Sequence, residues 1–311
     1  MKEIEKKEII DSLRSSKATL PVKLLYDNLG GKLFDAITET EEYTPTKDEL
    51  SVFSESLEKI KTILPNSICL IDLGAGSCFK AEKVLPVLNP SCYLAVDLPS
   101  EFFMNSVQRL SSIFPEKNIL SLEIDFTEGL TNDLIDASIS KAGTNLAKTI
   151  FFPGSTIGNF SPVAASKFLS AFDNDFLIIG IDLLKTSSEL EKAYDDALGV
   201  TAAFNKNVLL NLNRHVGTNF DVTRWIHKAI FNSEKSRIEM HLVAKEEQII
   251  ESPYGKISFS AEKSIHTENS YKYTVESFTK LLSDVGYIDI FKFVHPNNRY
   301  AVFLAKRNRQ F

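Results

Sequence analysis

SICLIDLGAGSCF, residues 67–79, is the most informative stretch of this sequence. It is an apolar run that Asp72 interrupts and that Gly74-Ala75-Gly76 ends. An apolar run bounded by glycines predicts a buried strand followed by a tight turn, where the backbone can approach a ligand closely. Ligands of open α/β sheets bind at the carboxyl ends of the strands, so this turn is the first candidate site.

Similar apolar runs recur along the chain and alternate with helical patterns. We predict strands at residues 68–73, 92–96, 119–124, 149–152 and 176–181. This alternation predicts a parallel sheet with helices on both faces. After a helix at 274–287, two further strands, 288–295 and 300–305, are predicted as an antiparallel pair at the edge of the sheet.

The alternation stops after Asp182. Residues 190–213 have a helical pattern, and residues 220–257 contain runs that are typical of strands. We therefore expect a second lobe in this part of the chain. Residues 1–20 are polar and are predicted as a helical lead-in.

Composition excludes several classes of protein. A net charge of −6 in 311 residues opposes general binding of nucleic acid, because the field of the protein repels phosphates. The three cysteines form no CxxC pair, so we expect no disulfide framework and a cytoplasmic location. The charged N-terminus lacks the apolar core of a signal peptide. No run approaches the ~20 apolar residues of a membrane span.

The residues after the first three strands indicate which ligand the turn suits. Asp97 follows the second strand and can accept hydrogen bonds from two ribose hydroxyls. The third glycine of a dinucleotide site is absent, which weakens a nicotinamide or flavin hypothesis. S-adenosylmethionine has no pyrophosphate, so its site has less need of the third glycine. Asp125 suits the amino group of its adenine, and Phe126 suits the face of the adenine ring. A structural turn with incidental acids is the alternative.

Other chemistries find less support. Ser155 directly follows Gly154, so this segment is not the G-x-S-x-G of a nucleophile elbow. No Walker phosphate loop is present. The five histidines have no i, i+4 pair and no cysteine partner, so we expect no metal site.

Several long segments together resemble one family, the histidine-specific S-adenosylmethionine-dependent methyltransferases, which make Nα-trimethylhistidine (hercynine) for ergothioneine biosynthesis. The resemblance runs from about Leu20 to the last strand. Its segments are LYDNLGGKLFDAITETEEYTPT, IDLGAGS with Lys80, FFPGSTIGNFSP, AYDDALGVTAAFNKNVL, RIEMHL and IHTENSYKY. One departure is visible, since Thr44 stands where the family usually has a second tyrosine after Tyr43.

The resemblance implies a class I methyltransferase with a Rossmann-like sheet and a smaller α+β substrate-binding domain. It assigns residues 47–184 and 273–311 to the S-adenosylmethionine-binding domain and residues 1–46 and 185–272 to the other. The implied donor site is Gly74, Gly76, Lys80, Asp97, Asp125 and Phe126. The implied substrate site is Tyr26, Tyr43, Gly154, Asn159, Tyr194, Met240, Glu268 and Ser270, with Asn159 and Tyr26 as catalytic residues.

These residue types suit L-histidine. Asn159 and Tyr194 offer donors for its α-carboxylate, and Glu268 can accept an imidazole N–H. A site that pairs both ring nitrogens would reject analogues that lack them. We expect a monomer that acts on this small molecule and binds neither nucleic acid nor a membrane. The alternatives are methylation of another amino acid such as tryptophan and a non-catalytic ligand-binding protein.

Overall fold

The computed structural model describes residues 1–143, 145–308 and 310. The α-helices are α1 (Glu3–Arg14), α2 (Asn28–Glu39), α3 (Pro45–Ile63), α4 (Phe79–Leu88), α5 (Glu101–Ile113), α6 (Asn132–Ile139), α7 (Pro162–Ser170), α8 (Ser187–Tyr194), α9 (Val200–Val216) and α10 (Val275–Asp284). The strands are β1 (Ala18–Thr19), β2 (Ile68–Leu73), β3 (Cys92–Asp97), β4 (Ile119–Glu123), β5 (Ala147–Phe152), β6 (Phe176–Asp182), β7 (Trp225–Asn232), β8 (Arg237–Ala244), β9 (Gln248–Ile250), β10 (Ile257–Phe259), β11 (Ser264–Tyr271), β12 (Tyr287–Val294) and β13 (Tyr300–Arg307). Within the described part of the chain, the helices are too short or too polar to cross a membrane.

The chain forms two compact units. Unit 1 consists of Met1–Thr44 and Lys185–Ser270, and unit 2 consists of Pro45–Leu184 and Tyr271–Phe311. Two of the three breaks lie two residues before the domain boundaries expected from the sequence. Which ligand belongs to which unit stays a prediction.

Unit 2 contains a seven-stranded sheet in the order β12-β13-β6-β5-β2-β3-β4. Strands β2 to β6 run parallel, and β13 pairs antiparallel with both β6 and β12. The predicted parallel sheet with an antiparallel pair at its edge is therefore confirmed.

Strand β2 lies in the middle of this sheet, and all six of its residues are buried. Alternate residues of the strand enter two different cores, one with Ile71 and Leu73 and the other with Ile68 and Leu70. A strand covered on both faces must be apolar on both faces. This explains why the run before the glycines is continuous and does not alternate.

Unit 1 contains a four-stranded mixed sheet in the order β1-β11-β8-β7 and a separate two-stranded ribbon of β9 and β10. Strands β7 and β8 form an antiparallel hairpin, and the short β1 pairs in parallel with β11. In β8, buried residues alternate with half-buried ones, so one face of the strand packs into the core of the unit. The prediction of a second, smaller α+β unit is confirmed.

Two local expectations need correction. The helical pattern at 190–213 is not one helix, because it breaks between α8 and α9. The break is fixed by Asp196, whose carboxylate accepts hydrogen bonds from the backbone N–H groups of Val200 (3.0 Å) and Thr201 (2.7 Å). The N-terminal segment is also more than a polar lead-in, since Ile9, Ile10 and Leu13 of α1 are buried in the core of unit 1.

Candidate functional site

The glycine turn of unit 2 is held against the neighbouring strand. The backbone N–H of Gly74 donates to the carbonyl of Val96 over 2.9 Å. Gly74 and Gly76 have φ angles of 74° and 53°, which side-chain-bearing residues rarely adopt. A Cβ placed on Gly76 would meet only the Gly74 carbonyl oxygen, at 3.9 Å, so there is open space beside the turn. The turn therefore has room for a ligand close to its backbone.

Asp97, at the end of β3, faces this turn. Its Oδ2 accepts from the N–H of Gly76 and its Oδ1 from the N–H of Leu98, both over 2.6 Å. Burial raises the pKa of Asp97, and the two backbone hydrogen bonds oppose that rise. The structure thus brings Gly76 and Asp97, which are 21 residues apart in sequence, into direct contact.

Phe126 closes another side of the turn, whereas Asp125 is engaged in its own loop. A Cβ on Gly74 would lie 3.6 Å from the Phe126 ring. Oδ1 of Asp125 accepts from the N–H of Thr127 (3.0 Å) and from its hydroxyl (2.6 Å). Phe126 therefore lies at the predicted donor site, and the Asp125 side chain shapes the loop that carries it.

Asp72, in the middle of β2, is a buried carboxyl that sequence reasoning treated only as an interruption. The Tyr93 hydroxyl donates to its Oδ2 over 2.7 Å, while its Oδ1 is buried with no hydrogen-bond partner among the described residues. Burial raises the pKa of Asp72 to about 7, although the Tyr93 hydrogen bond and the charge of Lys80 act in the opposite direction. An orphaned carboxyl oxygen beside the glycine turn fits a ligand that carries a donor or a positive charge.

Glu49 of α3 is the residue that sequence reasoning missed most clearly. Its side chain is fully buried, and its Oε2 lies 2.7 Å from the ammonium nitrogen of Lys80. Its Oε1 accepts from the N–H of Gly154 (2.8 Å) and from the hydroxyl of Tyr300 (2.7 Å). Glu49 therefore fixes both Lys80 and Gly154, two of the residues predicted for the site.

The glycines around Glu49 are required by this arrangement. A Cβ on Gly154 would lie 2.5 Å from the Lys80 ammonium nitrogen. A Cβ on Gly180 of β6 would overlap with the Glu49 carboxylate and with the Tyr300 hydroxyl. In the sequence, the only indications of this cluster were two glycines: Gly154, which closely follows the apolar run of β5, and Gly180, which lies within the apolar run of β6.

The loop after β5 carries Gly154 and Asn159. Gly154 and Ser155 both have left-handed φ angles, 77° and 56°, and the Ser155 hydroxyl accepts from the N–H of Asp182 over 2.9 Å. A single 3₁₀ turn, Thr156–Asn159, follows and leaves Asn159 half-buried at its end. Both predicted acceptor-site residues of this loop thus belong to unit 2, with the predicted donor residues.

Unit 1 brings Tyr26 and Glu268 together, 242 residues apart in sequence. The Tyr26 hydroxyl lies 3.5 Å from Oε1 of Glu268, at the outer limit of a hydrogen bond. Glu268 is only 7% exposed. The Tyr26 ring packs edge-on against Phe34 of α2 and Phe204 of α9, with centroids 5.8 and 5.3 Å away. These two phenylalanines form aromatic walls that sequence reasoning did not single out.

A second polar pair lies in the same unit. The hydroxyl of Tyr194 donates to the hydroxyl oxygen of Ser270 over 2.7 Å, and both residues are buried. The ring of Tyr43 lies edge-on to Tyr194 with centroids 6.0 Å apart. Met240 is buried in the core cluster that contains both tyrosines. Unit 1 therefore assembles the six predicted residues that it contains around one buried, aromatic and hydroxyl-rich region.

His227 of β7 supports this region from behind. One ring nitrogen, Nδ1, lies 2.8 Å from the Asn205 amide nitrogen, and the other, Nε2, lies 2.8 Å from the Tyr194 carbonyl oxygen. These partners require a neutral ring in which Nε2–H donates to Tyr194 and Nδ1 accepts from Asn205. Burial lowers the pKa of His227, while the carbonyl of Tyr194 and the charge of Asp195 oppose this.

Comparison with known proteins identifies the family. The family profile described as "Histidine-specific methyltransferase, SAM-dependent" matches residues 5–307. This chain belongs to that family. The protein is thus an S-adenosylmethionine-dependent methyltransferase, and the predicted family and methyl donor are confirmed.

Two bacterial relatives match almost the whole chain. The histidine N-alpha-methyltransferase of Mycolicibacterium smegmatis is 31% identical over 97% of this chain and 94% of its own length. The histidine N-alpha-methyltransferase of Mycobacterium tuberculosis is 32% identical over 90% of this chain and 88% of its own length.

A fungal relative and a solved structure are more distant. Ergothioneine biosynthesis protein 1 of Neurospora crassa is 28% identical over 94% of this chain, which matches 34% of the fungal protein. The crystal structure of the 1,6-didemethyltoxoflavin N1-methyltransferase of Burkholderia thailandensis covers 90% of this chain and 88% of its own, at 9% identity and a TM-score of 0.42.

Proposed function

We propose that this protein methylates the α-amino group of L-histidine, up to the trimethylated product hercynine, for ergothioneine biosynthesis. The proposal goes beyond the family in naming the acceptor and the extent of reaction. The names of the two bacterial relatives support the acceptor. The name of the Neurospora relative supports the pathway.

The observation that carries the proposal is the buried Glu268 beside the Tyr26 hydroxyl. Glu268 is 7% exposed among aromatic rings, and a buried carboxylate in such surroundings is suited to accept hydrogen bonds from N–H and O–H donors. An imidazole N–H is a donor of the right kind, and the rings of Phe34 and Phe204, which pack against Tyr26, give this region an aromatic character that suits an imidazole ring. The hydroxyls of Ser270 and Tyr43 match the second ring nitrogen chemically, since a hydroxyl both donates and accepts.

The remaining acceptor residues have roles that suit an amino acid. Asn159 and Tyr194 would bind the α-carboxylate, and Asn159 would also orient the amino group. Met240 would form a pliable apolar wall, since its side chain is flexible. Gly154 would contribute its backbone to acceptor binding, and its φ of 77° is typical of a position without a side chain. Tyr26 would accept or relay the proton of the ammonium group.

The donor residues would bind the parts of S-adenosylmethionine that they match chemically. Asp97 would accept from the ribose hydroxyls, and Asp125 and Phe126 would contact the adenine. Gly74 and Gly76 would allow close approach of the backbone, in agreement with the open space beside Gly76. Lys80 would contribute its ammonium group to the donor site, and the nitrogen of this group lies 2.7 Å from Oε2 of Glu49. S-adenosylmethionine itself supplies an electrophilic methyl group on a sulfonium.

The reaction is an in-line attack of the α-amine nitrogen on the methyl carbon, in which the new N–C bond would form as the methyl–sulfur bond breaks and the thioether S-adenosylhomocysteine leaves with the electron pair of that bond. The amine must first lose a proton, because an ammonium nitrogen has no free electron pair. No covalent enzyme intermediate is needed, so the protein contributes mainly by holding the nitrogen in position and by accepting the proton. Trimethylation requires that the site accept the primary, secondary and tertiary amine in turn.

The proposal is tested by incubating the enzyme with S-adenosylmethionine and each of the twenty amino acids. Mass spectrometry should find histidine carrying one, two and three methyl groups. Failure to methylate histidine at any enzyme concentration would overturn the proposal. Preferential methylation of tryptophan would favour the alternative acceptor, and binding of both ligands without transfer would favour a binding protein.

Glu268 offers a sharper second test. Glu268→Gln keeps the shape of the side chain but removes its charge, so KM for histidine should rise by about tenfold or more while binding of S-adenosylmethionine is unchanged. Glu247→Gln, an exposed position of the same unit, is the matched control and should leave both values as they are. An unchanged KM in Glu268→Gln would remove the imidazole contact from the proposal.

A further inference from the structure

Three side chains on one face of the sheet of unit 1 converge in a way that the sequence spacing hides. Glu239 and His241 are two residues apart on β8, and both are half-buried. Strand β11 neighbours β8 and carries the half-buried His266. One possible ligand atom from each of the three residues lies within 4.8 Å of the other two. We propose that Glu239, His241 and His266 form a binding site for a divalent transition-metal ion such as Zn²⁺.

Glu239 is already oriented for this role. Its Oε1 accepts from Nε of Arg237 (2.8 Å) and from the amide of Asn232 (3.0 Å). Its Oε2 points to the imidazole of His241, whose Nε2 lies 3.3 Å away. Hydrogen bonds from neighbouring side chains to a ligating carboxylate fix its orientation and strengthen metal binding.

The two imidazoles are packed together without mutual hydrogen bonds. Their ring centroids lie 5.0 Å apart at an interplanar angle of 34°. Nδ1 of His241 and Nε2 of His266 are buried and have no hydrogen-bond partner among the described residues. Buried polar atoms without partners are uncommon and call for an explanation such as a bound ion. A metal ion would use a nitrogen lone pair of each ring.

The donor set selects the kind of ion. Two imidazole nitrogens and one carboxylate oxygen suit Zn²⁺ and its first-row neighbours, whereas Mg²⁺ and Ca²⁺ prefer oxygen ligands. Bond lengths of about 2.0–2.2 Å place neighbouring ligand atoms roughly 3.4 Å apart in a tetrahedral site. The three ligand atoms lie within 4.8 Å of one another, so rotation of the side chains would have to bring them to that separation when an ion binds. Three protein ligands leave one position for water.

The site would join the two strands that carry Met240 and Glu268. Met240 lies between the two β8 ligands, and its side chain is buried on the opposite face of the strand. Glu268 follows His266 by two residues on β11. A bound ion would therefore stabilise unit 1, since an ion that binds only the folded state raises its stability. This inference does not depend on which amino acid the enzyme methylates.

The experiment uses the full-length protein after treatment with a chelator. Titration with Co²⁺ should give one ion per chain and d–d absorption of a nitrogen–oxygen site, and Zn²⁺ should displace it. Zn²⁺ should also raise Tm of the wild-type protein. His266→Asn and Glu239→Gln should weaken Co²⁺ binding by at least about tenfold to a hundredfold. His215→Ala, an exposed histidine of α9, is the matched control and should bind like the wild type.

Several outcomes would overturn the proposal. One is a Co²⁺ spectrum equal to that of the aqueous ion. Another is unchanged binding in both ligand variants when circular dichroism shows that they are folded. A thiolate-to-cobalt charge-transfer band would instead assign the ion to the buried free cysteines Cys69, Cys78 and Cys92. If one ligand variant fails to fold, the other and the Tm shift of the wild-type protein decide the matter.

Discussion

Glu49→Gln is the change that tests the internal support of unit 2 most directly. Gln has the same shape, so the variant removes charge without leaving a cavity. If its oxygen takes the place of Oε1, its NH₂ group lies 2.7 Å from the Lys80 ammonium nitrogen. If the amide is turned round, the NH₂ group lies 2.8 Å from the N–H of Gly154. Each orientation therefore sets a donor against a donor.

The expected loss follows from the burial of this ion pair. Removing one partner of a buried pair costs about 3–5 kcal/mol, because the other charge is left uncompensated. The Lys80 side chain is 20% exposed and can still reach water in part, so we expect the lower end, about 3 kcal/mol. Each 1.4 kcal/mol is a factor of ten, so local opening should become about a hundredfold more frequent.

The chain provides separate probes for the two units. All three cysteines lie in unit 2 and are buried, so the rate at which a thiol reagent labels them reports the opening of that unit. The single tryptophan, Trp225, lies in unit 1, and its fluorescence reports that unit. Glu49→Gln should accelerate thiol labelling about a hundredfold. Glu55→Gln, an exposed position of the same helix, should label like the wild type.

A double-mutant cycle with Lys80→Met separates the ion pair from the other contacts of Glu49. Lys80→Met alone leaves the carboxylate without its cation, whereas the double variant removes both charges. We expect the double variant to be about 2–3 kcal/mol more stable than the sum of the single effects predicts. Labelling of Glu49→Gln within threefold of the wild-type rate, or additive single effects, would refute the reasoning.

Three further changes test other parts of the fold. The pKa of Asp72 is raised to about 7, so the folded protein loses stability as the pH rises and this carboxyl ionises. Relative to Asp72→Asn, the unfolding free energy of the wild type should fall by up to about 4 kcal/mol between pH 4 and 8. Urea titrations at each pH measure this difference. If the unfolding free energies of the wild type and Asp72→Asn changed equally with pH, this prediction would be wrong. The pKa of His227 is lowered, so the Trp225 fluorescence transition should move to lower urea below about pH 6.5, and less so in His227→Gln. Gly180→Ala should lower the unfolding free energy by about 1–3 kcal/mol and speed thiol labelling, because its methyl group overlaps with Glu49. Labelling of this variant at the wild-type rate would show that the surroundings of Glu49 can move to accept the methyl group.

Sequence reasoning succeeded where information is local or periodic. The buried run before Gly74, the acid after the next strand and the alternation of strands and helices each follow from a few adjacent residues. These patterns were sufficient to predict the sheet. The structure adds the contact between Gly76 and Asp97, which is possible because adjacent parallel strands end at the same edge. The sequence resemblance extended this to the family, which the family profile confirmed.

Only the tertiary structure decided which distant polar residues share a buried position. Glu49 lies 105 residues from Gly154, and Tyr26 lies 242 residues from Glu268. His241 and His266 meet only because β8 neighbours β11. By residue type alone, Glu49 and Glu268 are expected on the surface, because a charge is rarely buried without a partner. The partner comes from a distant segment that packs against the acid, so the sequence around the acid does not predict it.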